Sequence, residues 1–102
     1  MTQTFSDFNL DSRIVDALSA VGIKEPFPIQ SLTLPIALGG NDIIGQAKTG
    51  TGKTLGFGLP LIQNVLNVEQ KTKLPKALVV VPTRELATQV ASDLSTAAAK
   101  TD

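Results

Sequence analysis

Eight consecutive residues near the middle of the chain have the composition of a phosphate-binding loop. They are Ala47, Lys48, Thr49, Gly50, Thr51, Gly52, Lys53 and Thr54. Glycine lacks a Cβ atom, so Gly50 and Gly52 allow positive φ angles and a close approach of the backbone to an anion. Lys53 supplies a compact cation for the β- and γ-phosphates of a nucleotide, and the hydroxyl of Thr54 suits Mg²⁺. The run therefore predicts a nucleotide-binding site.

The residues on either side of the loop agree with this interpretation. The strict form of the motif begins with glycine, whereas this chain has Ala47, so only a relaxed form matches. Ile43–Ile44 predicts a short apolar strand before the loop. After the loop, apolar residues recur at the spacing of one helical face, namely Leu55, Leu59 and Ile62. The N-terminus of that helix would add a favourable partial charge for phosphate. The alternative is a Gly-Thr surface turn followed by an ordinary helix.

Two residues outside the loop could recognise a nucleotide base. The amide of Gln30, at the end of the segment Gly22–Gln30, offers two donors and an acceptor, which match the edge of adenine. Phe5 could stack on a base, an interaction worth about 1–3 kcal/mol. The residues alone leave two alternatives open: a solvated Gln30 in the first turn of a helix, and a Phe5 that packs against the first helix.

The segment Pro82–Ala87 directly follows a predicted strand. It places Arg84 and the N–H groups of a helix start at the carboxyl edge of the sheet, where they could hold a phosphate backbone. Thr83 can cap that helix. The alternative is a capped helix with an exposed pair of Arg84 and Glu85.

The composition excludes several kinds of chemistry. The 102 residues include no Cys and no His, which excludes disulfides, thiol nucleophiles, Cys/His zinc sites and histidine general bases. Any metal must then be held by oxygen ligands, as Mg²⁺ and Ca²⁺ are. Nine basic residues balance nine acidic ones, so any contact with nucleic acid must come from a local site. Because no secretory signal and no apolar stretch of about 20 residues is present, we expect a soluble cytoplasmic protein without a membrane partner.

The spacing of apolar residues and caps predicts four helices. They extend from Asp11 or Ser12 to about Val21, over Ile29–Leu38, from the loop to about Leu66, and from Thr83 to about Leu94. Ile14, Leu18 and Val21 form the expected buried face of the first helix. Pro35 should kink or divide the second helix. The polar tail Ser95–Asp102 is expected to fray.

The second half of the chain has the pattern of a parallel sheet with helices. Ala77–Val81 is continuously apolar, as is typical of a strand buried on both faces. Strand, loop, helix and second strand form a β-α-β unit, which implies parallel strands and a right-handed crossover. The predicted fold class is therefore α/β, with a parallel sheet and flanking helices preceded by a helical segment. The ligand should lie beyond the carboxyl end of the first strand.

Three stretches together resemble the N-terminal part of a DEAD-box ATP-dependent RNA helicase. Phe5 and Gly22–Gln30 resemble the Q motif with its upstream aromatic residue. Ala47–Thr54 resembles motif I, whose family form begins with Ala, and Pro82–Ala87 resembles motif Ia. The resemblance extends to about Ala97. It implies the first part of a RecA-like domain of the P-loop NTPase class, preceded by a helical Q-motif segment.

The resemblance also implies roles for residues at the nucleotide. Gln30 and Phe5 would read adenine, so that ATP is preferred over GTP. All eight residues of the loop would bind ATP. Within it, Lys53 would hold the β/γ-phosphates and Thr54 the Mg²⁺ ion, and these two residues would take part in catalysis.

The same resemblance assigns an RNA contact and two regions. Thr83 and Arg84 would contact the RNA sugar–phosphate backbone, with little reading of sequence. Residues 1–40 would form the helical Q-motif region, and residues 41–102 would form the N-terminal part of the ATP-binding domain.

Several family elements do not occur in this sequence. No Asp-Glu-Ala-Asp follows Ala87, no Ser-Ala-Thr is present, and the second RecA-like domain with its arginine fingers is absent. Phosphoryl transfer depends on such positioned groups. We therefore expect a helicase fragment that is inactive on its own and has the rest of the helicase core as its partner. The alternatives are a non-catalytic nucleotide- or RNA-binding module and an inactive truncated gene product.

Overall fold

The computed structural model describes residues 3–46, 52–68 and 74–101. Within them the chain forms one short 3₁₀-helix and four α-helices. The 3₁₀-helix is Phe5–Asp7, and the α-helices are α1 Ser12–Ala20, α2 Pro28–Leu38, α3 Lys53–Leu66 and α4 Arg84–Ala97. The four predicted helices are therefore confirmed, with small differences at their ends.

Helix α1 begins at a charged cap. The carboxylate of Asp11 accepts a hydrogen bond from the backbone N–H of Arg13 at 2.9 Å. The Arg13 side chain also donates to both carboxylate oxygens, from Nε and from a terminal guanidinium nitrogen, each at 3.0 Å. These hydrogen bonds of Arg13 lower the pKa of Asp11 to about 2, because they favour its charged form. A carboxylate at this position also complements the positive end of the helix.

The buried face of α1 differs at one position from the prediction. Ile14, Ala17 and Leu18 are buried, whereas Val21 is 56% exposed. The helix ends at Ala20, so Val21 no longer follows the helical spacing that was expected to bury it. Gly22 comes next with a φ of 83°, a conformation that favours glycine at a helix end.

Helix α2 is continuous through a proline. Pro28 occupies its first turn, where a missing N–H costs nothing, but Pro35 lies inside the helix. Pro35 was predicted to kink or divide the helix: division is wrong, because α2 runs unbroken from Pro28 to Leu38, and a kink stays a prediction. Helix α2 packs along α3 and buries Leu34 and Gln30, and this packing outweighs the cost of an internal proline, about 3 kcal/mol.

One hydrophobic core joins all five helices. Its buried members are Phe5, Ile14, Leu18, Leu34, Leu59, Ile62 and Ala97. Because Ala97 is completely buried, α4 continues beyond Leu94, and the expectation that the chain frays from Ser95 is wrong up to Ala97. No helix in the described part of the chain is long and apolar enough to cross a membrane.

A glycine sets the distance between α3 and α4. A Cβ atom placed at Gly58 would lie 2.5 Å from Cδ2 of Leu94, which is closer than packed carbon atoms approach. At Gly56 the nearest atom would be Oγ1 of Thr33 at 3.5 Å, an ordinary contact. Gly58 therefore weakens α3 locally but allows α4 to pack against it.

The two predicted strands are not confirmed. Among residues 3–46, 52–68 and 74–101 there is no β-strand, and Ile43–Ile44 and Ala77–Val81 are irregular. A strand exists only when its backbone pairs with another strand, and no described residue pairs with either segment. Ile44, Leu78 and Val80 are consequently 103%, 85% and 83% exposed. A cavity of about 390 Å³ lies beside both segments and borders α3.

Candidate functional site

A second cavity, about 980 Å³, is larger than the one beside the two irregular segments. It lies between the segment Gly22–Gln30 and the end of the phosphate loop. The segment from Gly22 to Phe27 and the start of α2 form one wall, and the first turn of α3 forms another. One side of α4 forms a third wall of the cavity. Gln30, Gly52, Lys53 and Thr54 all line it, so the structure brings these predicted site residues together. We refer to this cavity as the cleft.

Gln30 joins the two stretches by hydrogen bonds. Its amide Nε2 donates to the carbonyl oxygen of Gly52 at 2.8 Å, and its Oε1 accepts from the backbone N–H of Phe27 at 2.9 Å. Gln30 is only 1% exposed, so the alternative of a solvated side chain is excluded. Among the described residues, one amide hydrogen and one Oε1 lone pair of Gln30 have no partner, and they could pair with a base edge. The adenine-reading role of Gln30 stays a prediction.

Gly52 is required at its position for two reasons. Its φ of 81° lies in the left-handed region, where residues with a side chain are strained. An added Cβ would also collide with Nε2 of Gln30 and with Cδ2 of Phe27. The amide, the aromatic ring and the backbone at the end of the phosphate loop therefore meet at one point.

The first turn of α3 has the properties of an anion site. Its N-cap is Gly52, which has no side chain to accept from the N–H groups that lack intrahelical partners. Lys53 is exposed and Thr54 is half-buried, and both line the cleft. The backbone N–H donors of α3, the positive end of its dipole and the Lys53 side chain therefore lie at one place, as an anion site requires. The predicted roles of Ala47–Thr51 concern residues outside the described ranges.

Phe5 lies in the core. It is 1% exposed, does not line the cleft, and its N–H donates to the carbonyl oxygen of Lys24 at 3.2 Å. The alternative that Phe5 packs beside the first helix is confirmed. Its stacking on a base stays a prediction, and it would require the ring to leave the core.

The second predicted site is at the start of α4. Oγ1 of Thr83 accepts from the N–H of Leu86 at 3.2 Å, which confirms Thr83 as the cap. Arg84 is exposed in the first turn. Val90 and Asp93 of the same helix line the cleft, so α4 borders both candidate sites. Contact between RNA and Thr83 or Arg84 stays a prediction.

Sequence reasoning missed one residue of the cleft wall and one residue that joins α3 to the start of α1. Phe27 is an aromatic residue of the cleft wall, and its only sequence signal is its place between two prolines beside Gln30. Gln63 of α3 accepts from the N–H of Asp11 at 2.8 Å and donates to the carbonyl oxygen of Asn9 at 3.2 Å. Its partners lie 52 and 54 residues away, so no local pattern could reveal them.

Comparisons with protein sequences identify one family. The family model described as DEAD/DEAH box helicase matches residues 27–102. Similar curated proteins include the ATP-dependent RNA helicase CshA of Listeria monocytogenes, 50% identical over 90 residues, and the ATP-dependent RNA helicase RhlB of Pectobacterium carotovorum, 48% identical over 95 residues. These matches cover 88% and 89% of this chain but 17% and 22% of the relatives. The chain thus spans about a fifth of their length.

Solved structures of the same kind share the arrangement of helices. The ADP-bound RNA helicase Prp28 of Chaetomium thermophilum superposes with a TM-score of 0.87 at 39% identity, over 97% of this chain and 24% of that one. A DEAD box protein from Methanococcus jannaschii superposes with a TM-score of 0.80 at 35% identity, over 94% of this chain and 26% of that one.

Proposed function

Because this chain belongs to the DEAD/DEAH box helicase family, we propose that it supplies the ATP-binding and RNA-binding N-terminal portion of an ATP-dependent RNA helicase. One observation carries the proposal: the buried amide of Gln30 donates to the carbonyl oxygen of Gly52 at 2.8 Å. This bond fixes a side chain suited to a base edge beside the turn suited to phosphate. A nucleotide can therefore engage both ends of the cleft at once.

The phosphate end of the cleft takes the β- and γ-phosphates of ATP. Lys53 neutralises their charge, the N–H groups of the first turn of α3 donate to their oxygens, and the remaining residues of the loop Ala47–Thr54 complete the ATP-binding set. The described residues contain no group of three or more acidic side chains that could hold a metal ion. The Thr54 hydroxyl would hold Mg²⁺ together with phosphate oxygens, and the ion would neutralise phosphate charge.

The base end of the cleft selects adenine. The amide groups of Gln30 that the protein leaves unused can pair with the base edge. We keep the predicted participation of Phe5 as part of this proposal, although its ring is buried in the structure. ATP is then preferred over GTP, because a wrong base edge leaves polar groups unpaired.

The start of α4 holds RNA. Exposed Arg84 and the helix N-terminus capped by Thr83 offer a cation and a favourable partial charge to a phosphate backbone. Such contacts bind RNA with little dependence on sequence and a strong dependence on salt.

The irregular apolar segments are the strands of the assembled domain. Ile44, Leu78 and Val80 are almost fully exposed, which is the expected state of strand residues whose partners lie elsewhere. We infer that Ile43–Ile44 and Ala77–Val81 join a parallel sheet in the helicase core, within the region 41–102. The rest of the helicase core is therefore a partner of this chain.

A chimaera tests the function with this sequence in place. In the CshA chimaera, this chain replaces the corresponding segment of Listeria CshA, to which it is 50% identical. The chimaera should hydrolyse ATP in the presence of RNA, and Lys53→Ala should abolish turnover because the phosphate charge is left uncompensated. Lys100→Ala, the matched loss of an exposed lysine, should leave turnover unchanged. Full activity of the Lys53→Ala chimaera would refute the nucleotide site.

A further inference from the structure

Phe27 is an exposed aromatic residue inside the cleft. It is 53% exposed, whereas Phe5, the aromatic residue singled out by sequence, is 1% exposed. Phe27 also lies outside the hydrophobic core cluster. Its ring therefore contributes little burial to the fold and is accessible from the space where a nucleotide would lie.

The ring occupies a defined place beside the two groups that anchor the cleft. A Cβ added at Gly52 would collide with Cδ2 of Phe27 and with Nε2 of Gln30. The backbone N–H of Phe27 is held by Oε1 of Gln30 at 2.9 Å, and Phe27 is the N-cap of α2. The backbone is thus fixed next to a buried amide, and the ring stands at the junction of the amide and the phosphate loop.

We propose that Phe27 is the aromatic wall against which the purine base packs, an inference that rests on the proposed function. Base and aromatic ring attract each other through their faces, and every base has such a face. Phe27 and Gln30 then have different roles in base binding. Phe27 contributes affinity without regard to base identity, whereas Gln30 reads the base edge.

Substitution of the Phe27 side chain tests the role of the ring alone. The hydrogen bond at Phe27 uses the backbone, so Phe27→Ala removes the ring and keeps the bond. The exposed ring can be lost with little effect on folding. Leu32 offers a control, because it is also an exposed large apolar residue of α2, at 70%, but lines neither cavity.

The experiment measures four quantities in the CshA chimaera: kcat and KM for ATP, the inhibition constant of GTP, and that of tripolyphosphate, which has no base. Phe27→Ala should raise the KM for ATP and the inhibition constant of GTP by the same factor, about tenfold. The kcat and the inhibition constant of tripolyphosphate should stay within about twofold. Phe27→Trp should retain ATP affinity, and Leu32→Ala should change none of the four quantities.

A second readout uses the absence of Trp and Tyr from the chain. In the CshA chimaera carrying Phe27→Trp, the emission of that tryptophan, taken as the difference from the wild-type chimaera, should change when ATP is added and not when tripolyphosphate is added.

Two results would overturn the inference while leaving the proposed function intact. One is an unchanged KM for ATP in active Phe27→Ala chimaera. The other is an equal loss of ATP and tripolyphosphate affinity, which would show that the ring supports the phosphate loop. A wild-type chimaera without ATP turnover would instead overturn both the function and the role of Phe27.

Discussion

Replacing Gln30 by glutamate should create a pH-dependent defect at the junction of the cleft. Glutamate keeps the length of the side chain and an oxygen that accepts from Phe27. When ionised, however, it presents a second oxygen to the carbonyl oxygen of Gly52, which now accepts from Nε2 at 2.8 Å. One hydrogen bond is lost and two oxygens with partial or full negative charge face each other. The loss of the bond and the unpaired buried charge together should cost at least about 2 kcal/mol.

The sign of the pH dependence follows from the environment of residue 30. Burial and the facing carbonyl raise the pKa of the new carboxyl group above its ordinary value of about 4.3. Well below that value both folded and unfolded states are protonated, and an O–H group can donate to Gly52 as the amide does. As the pH rises from about 4.3 to the folded pKa, the unfolded state gains stability by ionising and the defect develops. Above the folded pKa the defect is constant.

The assay compares thermal unfolding and the KM for ATP across about pH 4 to pH 8 in the CshA chimaera, each relative to wild type at the same pH. Gln30→Glu should be close to wild type at the acidic end and clearly impaired at about pH 8. Gln30→Ala is the control. It loses two hydrogen bonds, about 1–3 kcal/mol in total, at every pH, and it should also blunt the preference for ATP over GTP. A Gln30→Glu defect that is as independent of pH as that of Gln30→Ala would refute the bond to Gly52.

Three further predictions concern other parts of the chain. Arg84→Ala in the CshA chimaera should weaken RNA binding about equally for all sequences and reduce the slope of affinity against salt concentration; a loss confined to one RNA sequence would contradict a backbone contact. Gly58→Ala should destabilise the chimaera by about 1–2 kcal/mol relative to Gly56→Ala in denaturant unfolding, because only the former meets Leu94; equal stability would refute the close approach of α3 and α4. The charged cap at Asp11, whose pKa is lowered to about 2, adds stability above its ordinary pKa of 3.8 that is lost as the pH falls towards 2. Asp11→Asn should remove that part of the acid sensitivity, and an unchanged acid titration would contradict the pairing.

Local rules predicted the elements whose causes are local. Asp11 and Thr83 cap helices through bonds to residues two and three positions on, so sequence alone could place both helix starts. Gly52 was predicted to allow a positive φ at the end of the phosphate loop, and its φ of 81° agrees. In each case the residue that determines the local structure lies within one helical turn of the backbone that it affects.

Features that depend on distant residues were not predictable. Whether Gln30 is solvated or buried is decided by Gly52, 22 residues away. Ala97 belongs to the polar tail Ser95–Asp102 that the sequence predicts to fray, yet it is a buried member of the core. The burial of Phe5 was recognised as an alternative, but spacing cannot decide between a core ring and an open one. Tertiary packing determines whether each of these three residues is buried.

The exposed segments lead to a final prediction, in which one substitution has opposite effects in two settings. In the 102-residue chain, Leu78 and Val80 are exposed on Ala77–Val81, an apolar, largely β-branched run without charge, which favours self-association. Val80→Lys should therefore reduce the association of the isolated chain, measured by light scattering during size-exclusion chromatography over a range of concentrations. Ser19→Lys, which adds the same charge to an exposed position of α1, should not.

In the CshA chimaera, the same segment would pair with neighbouring strands and be covered by helices. A lysine charge at position 80 would then be buried without a partner, at a cost of several kcal/mol. Val80→Lys should accordingly abolish or strongly impair folding of the chimaera, while Ser19→Lys again has little effect. A sharp two-state melt of the monomeric wild-type chain, raised by Mg²⁺-ATP, together with a stable Val80→Lys chimaera, would contradict this reasoning. It would mean that the segment needs no partner strand, and that the 102 residues form a self-sufficient nucleotide-binding unit.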